Sequence, residues 1–122
     1  MHIRCLIVDD SDPFLEAASV LLEREGLDVV GVASTSAEAL RAAETLRPSV
    51  ILVDITLGEE SGLDLARRLV EDGGSNGTVI LISTRSEEDV RDLVAGNPAA
   101  GFIPKTMLSA SAIRRIADGR LP

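Results

Sequence analysis

The chain has 122 residues, and its 12 basic against 20 acidic side chains leave a formal charge of −8. That is about one domain's worth, with 45% apolar residues to fill one core, and its acidity sets it against nucleic-acid phosphates. No apolar stretch approaches the roughly 18 residues of a membrane span, no signal-peptide pattern opens the chain, and the single cysteine, Cys5, suits a reducing cytoplasm.

Along the chain, short apolar runs alternate with segments of helical period. Cys5–Val8 is the first run. Asp12 then reads as an N-cap with Pro13 at the first helical position. Phe14, Ala18, Leu21 and Leu22 form one apolar face, and Gly26 marks the stop. Val29–Ala33 follows, then a capping-box pattern at Thr35 and Glu38 with Ala39, Leu40, Ala43 and Leu46 behind it, ended by Pro48. After Val50–Val53, Ser61 precedes Leu63, Ala66, Leu69 and Val70, with Gly73-Gly74 as the terminator. Val79–Ile82 leads to Ser86, Val90, Leu93, Val94 and Gly96. Ala100–Ile103 leads to Ser109, Ala112, Ile113, Ile116, Ala117 and Gly119. The five runs are mostly β-branched and do not alternate, as parallel strands buried on both faces do not. The pattern is (βα)5, and right-handed crossovers make it an α/β fold, a doubly wound open parallel sheet with helices on both faces. No repeat, low-complexity run or linker divides it, so residues 1–122 are expected to be one domain.

Ligands of such sheets bind at the carboxyl ends of the strands. The first strand ends in Asp9-Asp10, the third in Asp54, the fourth in Ser83-Thr84, and Lys105 follows the fifth after Pro104. Lys105 is the only lysine among twelve basic residues. Each of these alone reads equally as a turn, a cap or a solvated charge; their joint arrival on one rim does not. Two like charges about 4 Å apart cost roughly 4 kcal/mol at an effective dielectric of ~20. A hard divalent cation such as Mg²⁺ is the natural compensation for clustered carboxylates. With it, three acids, the metal and Lys105 sum to zero charge.

Leu6-Ile7-Val8-Asp9-Asp10-Ser11, Val53-Asp54, Leu81-Ile82-Ser83-Thr84 and Gly101-Phe102-Ile103-Pro104-Lys105, in this order and at these separations, resemble a response-regulator receiver domain, the phosphoacceptor module of two-component signalling. The resemblance covers essentially the whole chain and implies a flavodoxin-like sheet of strand order 2-1-3-4-5. It implies that Asp54 accepts a phosphoryl group from a sensor histidine kinase, a phosphotransfer protein or a small phosphodonor. It also implies that Asp10, Asp54 and the Thr56 carbonyl bind Mg²⁺, with Asp9 acting through water. Ser83 and Lys105 would hold the phosphoryl oxygens, and Phe102 would be the aromatic that moves as Ser83 is drawn in. On composition alone, Phe102 reads as plain core. The sequence departs from the family where Leu57-Gly58 replaces Met-Pro, where Thr106 rather than proline follows Lys105, and where Thr84 replaces a smaller residue. His2 reads as terminal surface, Cys5 as core, and Glu59-Glu60 and Glu87-Glu88-Asp89 as solvated charge.

Three other functions compete. A flavodoxin-like cofactor protein would show a Ser/Thr/Gly-rich phosphate loop and aromatics to stack on the flavin, where this chain has Asp9-Asp10-Ser11-Asp12 and neither Trp nor Tyr. An aspartate-nucleophile phosphohydrolase would use Asp10-Ser11-Asp12 but needs a cap segment for substrate. A pseudo-receiver would keep the fold only as a protein-binding module, without need of the acidic cluster. The expectation is therefore a cytoplasmic signalling domain, not an enzyme, that switches contacts with a downstream protein target or output domain. Direct nucleic-acid binding by this chain is not expected, since no helix-turn-helix follows the last helix. The sequence does not decide between a stand-alone receiver and one excised from a longer regulator, or for or against a homodimer.

Overall fold

The computed structural model describes residues 3–72 and 77–119. Gly73-Gly74, His2 and Arg120–Pro122 lie outside them. Five strands form one parallel sheet: β1 (Arg4–Val8), β2 (Asp28–Ala33), β3 (Val50–Asp54), β4 (Thr78–Ser83) and β5 (Gly101–Pro104). Their order is β2-β1-β3-β4-β5, every pairing parallel. Five helices connect and follow them: α1 (Asp12–Arg24), α2 (Ser36–Leu46), α3 (Gly62–Glu71), α4 (Glu87–Ala95) and α5 (Ala110–Asp118). This is the doubly wound arrangement that the alternation predicts.

The alternation of side chains along each strand divides the core in two. Leu6, Val8, Ile51, Val53, Val79 and Leu81 face α2, α3 and Val90 of α4. Cys5, Ile7, Val50, Leu52, Ile80 and Ile82 face α1 and α5, where Leu15, Ala18, Leu22 and Ile113 close the layer. Both faces of the three central strands are thus dry, which explains their unbroken apolar sequence.

The helix starts follow from side-chain caps. Thr35, Ser61, Ser86 and Ser109 each accept the backbone N–H three residues on, as their positions predict. At α1 the cap is Ser11 rather than Asp12, with its Oγ accepting from Phe14 N–H at 3.3 Å; Asp12 stands inside the first turn, where its charge favours the helix dipole. The capping box of α2 is also displaced, because Glu38 reaches past Thr35 to accept from the N–H of Ser34. Leu21 departs from the expected apolar face and is 37% exposed, its place in the core taken by Leu15. Leu93 of α4 is likewise exposed, so Val90 is the helix's only buried residue. A two-residue hairpin, Thr56–Leu57 against Glu60–Ser61, follows β3 and has no signal in the hydrophobic pattern. Gly58 turns it with a φ of +61°, a conformation that favours glycine.

Candidate functional site

Strand β1 delivers Asp9 and Asp10, β3 ends on Asp54, and β4 ends on Ser83. Past β5 the chain tightens into a short 3-10 turn, Lys105–Met107. Adjacent parallel strands in register bring these ends to one rim, where Asp54 pairs with Ile82 and Ser83 with Pro104. Carboxylate oxygens of Asp9, Asp10 and Asp54 all lie within 4.8 Å of one another. Asp9 and Asp54 are buried and Asp10 is exposed, so the cluster opens to solvent through Asp10.

Lys105 lies among them. Its Nζ is 2.6 Å from Asp9 Oδ2 and 3.2 Å from Asp54 Oδ2. The Asp54 contact is a hydrogen bond, and the second Asp54 oxygen, Oδ1, accepts from Thr56 N–H at 3.1 Å. Asp9 Oδ1 accepts from Ser11 N–H at 2.9 Å. Asp9 Oδ2 is fully buried, and the Lys105 ammonium at 2.6 Å is its one partner among the described residues. Three clustered carboxylates against one ammonium leave an excess of negative charge that is costly where it is buried. The cluster therefore has both the ligand type and the residual negative charge that fit a hard cation.

Burial pushes the Asp54 carboxyl above the usual carboxylate range; Lys105 opposes that push and Asp9 adds to it. Burial also works against the Lys105 ammonium, yet the pull of Asp9 and Asp54 outweighs it and leaves Lys105 above its ordinary value. One cation thus holds two carboxylates that would otherwise repel, and Asp54 is left the more strained of the charges.

Ser83 is buried at the rim as expected, but its Oγ accepts from Arg85 N–H at 3.0 Å and, among the described residues, makes no hydrogen bond to Asp54. Thr56 contributes its N–H to Asp54 and leaves its side chain exposed. Phe102 is partly buried against the α4 layer, beside a depression of about 300 Å³ lined by Glu87, Arg91, Val94 and Gly101. Asp12 is not a member of the three-carboxylate cluster and stands instead in the first turn of α1. Two contacts have no counterpart in the sequence reading. The ring of Phe14, assigned by helical period to the core face, has its centroid 4.3 Å from Lys105 Nζ. Gly62 opens α3 so close to β3 that a Cβ there would stand 1.7 Å from the Asp54 carbonyl oxygen. A glycine directly after a capping serine was the available hint for the second.

Comparison with known proteins agrees with this geometry. The sequence profile of the response regulator receiver domain matches residues 5–117. The chain is 34% identical over 116 residues to a protein-glutamate methylesterase/protein-glutamine glutaminase of Alkalilimnicola ehrlichii, covering 91% of this chain and 29% of that protein. It is 33% identical over 96 residues to the DNA-binding response regulator MtrA of Mycolicibacterium smegmatis, covering 79% of this chain and 40% of that protein. The chain thus spans less than half the length of either relative. The signal receiver domain of a modulated diguanylate cyclase from Desulfovibrio desulfuricans superposes with a TM-score of 0.79 at 30% identity, over 98% of this chain and 93% of that one.

Proposed function

This chain belongs to the response-regulator receiver family, and from that premise we propose that it accepts a phosphoryl group on Asp54 and uses the modified carboxylate to switch its contacts with other proteins. The observation that carries the reading is the setting of Asp54: one oxygen fixed by Thr56 N–H, the other on the Lys105 ammonium, and two further carboxylates within 4.8 Å.

In the proposed reaction a carboxylate oxygen of Asp54 attacks the phosphorus of a histidine-kinase or phosphotransfer phosphohistidine, or of a small acyl phosphate. A P–O bond to Asp54 forms as the P–N or P–O bond of the donor breaks, and the departing group keeps the electron pair. Mg²⁺ would be held by Asp10, Asp54 and the Thr56 carbonyl, with Asp9 through water, and supplies positive charge that lets an anionic nucleophile meet an anionic phosphoryl group. Lys105, already on Asp54 Oδ2, is placed to follow the charge onto the phosphoryl oxygens. Ser83, whose Oγ accepts from Arg85 N–H, would turn to donate its hydroxyl proton to a phosphoryl oxygen. That movement vacates space beside β5, and the depression next to Phe102 gives the aromatic side chain somewhere to turn. The chain promotes only its own phosphorylation and dephosphorylation. Its partners would be a sensor histidine kinase or phosphotransfer protein and a downstream target or output domain, all on the cytoplasmic side, with a homodimer one form that the switched contact can take. Among the described residues no helix is long and apolar enough to cross a membrane.

Acetyl phosphate with Mg²⁺ tests the assignment. The intact mass of the wild-type chain should rise by one phosphoryl group, and that of Asp54→Asn should not. Equal uptake by Asp54→Asn would refute Asp54 as acceptor, and sustained release of many phosphates per chain would point to a phosphohydrolase instead.

A further inference from the structure

Four residues at the rim form a closed circuit. Asp9 Oδ1 accepts from Ser11 N–H at 2.9 Å, and Ser11 Oγ accepts from Phe14 N–H at 3.3 Å. The Phe14 ring centroid lies 4.3 Å from Lys105 Nζ, and Nζ returns to Asp9 Oδ2 at 2.6 Å. The cap of α1 therefore fixes where the aromatic ring stands, and the ring stands on the one lysine of the chain. Phe14 is partly buried against the α1–α5 layer, and the Lys105 side chain keeps only 13% of its exposure. An ammonium ion over an aromatic face is attracted by the negative centre of the ring, and more strongly where water is displaced. Asp9 and Asp54 hold the ammonium by charge, and the ring adds a third contact that narrows the positions open to the flexible four-carbon stem.

We propose that Phe14 is a positioning residue for phosphoryl acceptance: it holds the Lys105 ammonium over Asp54 through its ring face, so that the cation is in place before the phosphoryl group arrives. The inference rests on Asp54 being the phosphoacceptor, and it concerns how the lysine is kept ready for that step. A merely space-filling Phe14 would be replaced adequately by leucine; a ring that binds a cation would be replaced only by another aromatic.

Lys105 being the sole lysine, selective ¹³C-lysine labelling gives one-site NMR spectra. In the wild type the Lys105 Hε protons should be moved upfield by the ring, as they should in Phe14→Tyr, and Phe14→Leu should lose the shift while keeping its melting temperature close to wild type. Binding of beryllofluoride with Mg²⁺ should weaken roughly tenfold in Phe14→Leu and stay near wild type in Phe14→Tyr. In a Lys105→Gln background, Phe14→Leu should add nothing further. Wild-type affinity in Phe14→Leu, or the same loss with and without Lys105, would overturn the positioning role alone. A wild-type chain that binds no beryllofluoride would overturn the phosphoacceptor reading beneath it.

Discussion

Asp54 sits under opposed demands. The proposed acceptance of a phosphoryl group requires the carboxylate to be ionised, whereas burial, and Asp9 beside it, disfavour that charge. A carboxyl whose pKa is raised in the fold stabilises the native state below its unfolded value, and that stability is lost as pH rises through the raised folded value. At neutral pH the ionised Asp54 is therefore a net cost to the cation-free protein, even with Lys105 beside it. Asp54→Asn keeps the shape and removes the charge. Without divalent cation it should melt at a higher temperature than wild type at pH 7, with the difference shrinking towards zero below pH 4. A variant less stable than wild type at pH 7 would mean that the Lys105 contact outweighs the burial of the charge. Lys105 shifts in the same direction for the opposite reason, since pairing with Asp9 and Asp54 favours its charged form. Its contribution persists across the neutral range and is lost only as pH rises through its own elevated value.

At the scale of elements, the end of β3 is held from behind by α3. Gly62 N–H donates to the Ile55 carbonyl at 2.9 Å, and any side chain at 62 would strike the carbonyl of Asp54. Gly62→Ala must displace backbone on one side or the other, at a cost of about 1–3 kcal/mol. The denaturant midpoint should fall accordingly, and a midpoint equal to wild type would show that α3 can retreat freely. The sequence could not announce this contact. The four serine and threonine caps that start α2 to α5 act over three residues and leave a local signature, as the strands do through their β-branched runs. The approach of Gly62 to Asp54 joins a helix start to the strand before it through space, and it is visible only once both are placed. The shift from Asp12 to Ser11 at α1 is local instead: Asp9 accepts from Ser11 N–H two residues on, and Ser11 Oγ takes the cap. The rim that gathers Asp9, Asp10, Asp54 and Lys105 was legible, since the end of a buried strand is a local feature and topology brings such ends together. The aromatic partner of Lys105 was not, because helical period assigns Phe14 to a face without saying what lies at the margin of that face.

Across the whole molecule the charge is −8, of which Asp9, Asp10 and Asp54 against Lys105 account for −2 within one small cluster. Two effects of added salt must then be separated. Counter-ions screen the surface charges generally, over a Debye length of about 10 Å at 0.1 M, and do so whatever their identity. A cation bound among the three acids acts differently: it stabilises the fold by linkage, about 1.4 kcal/mol at a free concentration ten times its Kd. Magnesium chloride should therefore raise the melting temperature of the wild-type chain beyond sodium chloride of the same ionic strength. Asp10→Asn alters the exposed, solvent-facing member of the cluster without emptying a buried position. It changes the net charge by only one in eight, so generic screening should be nearly preserved while the excess effect of magnesium is lost. If wild type and Asp10→Asn respond alike to magnesium, the ion is screening the acidic surface, and the cluster keeps its excess negative charge with Lys105 as its one compensating group among the described residues.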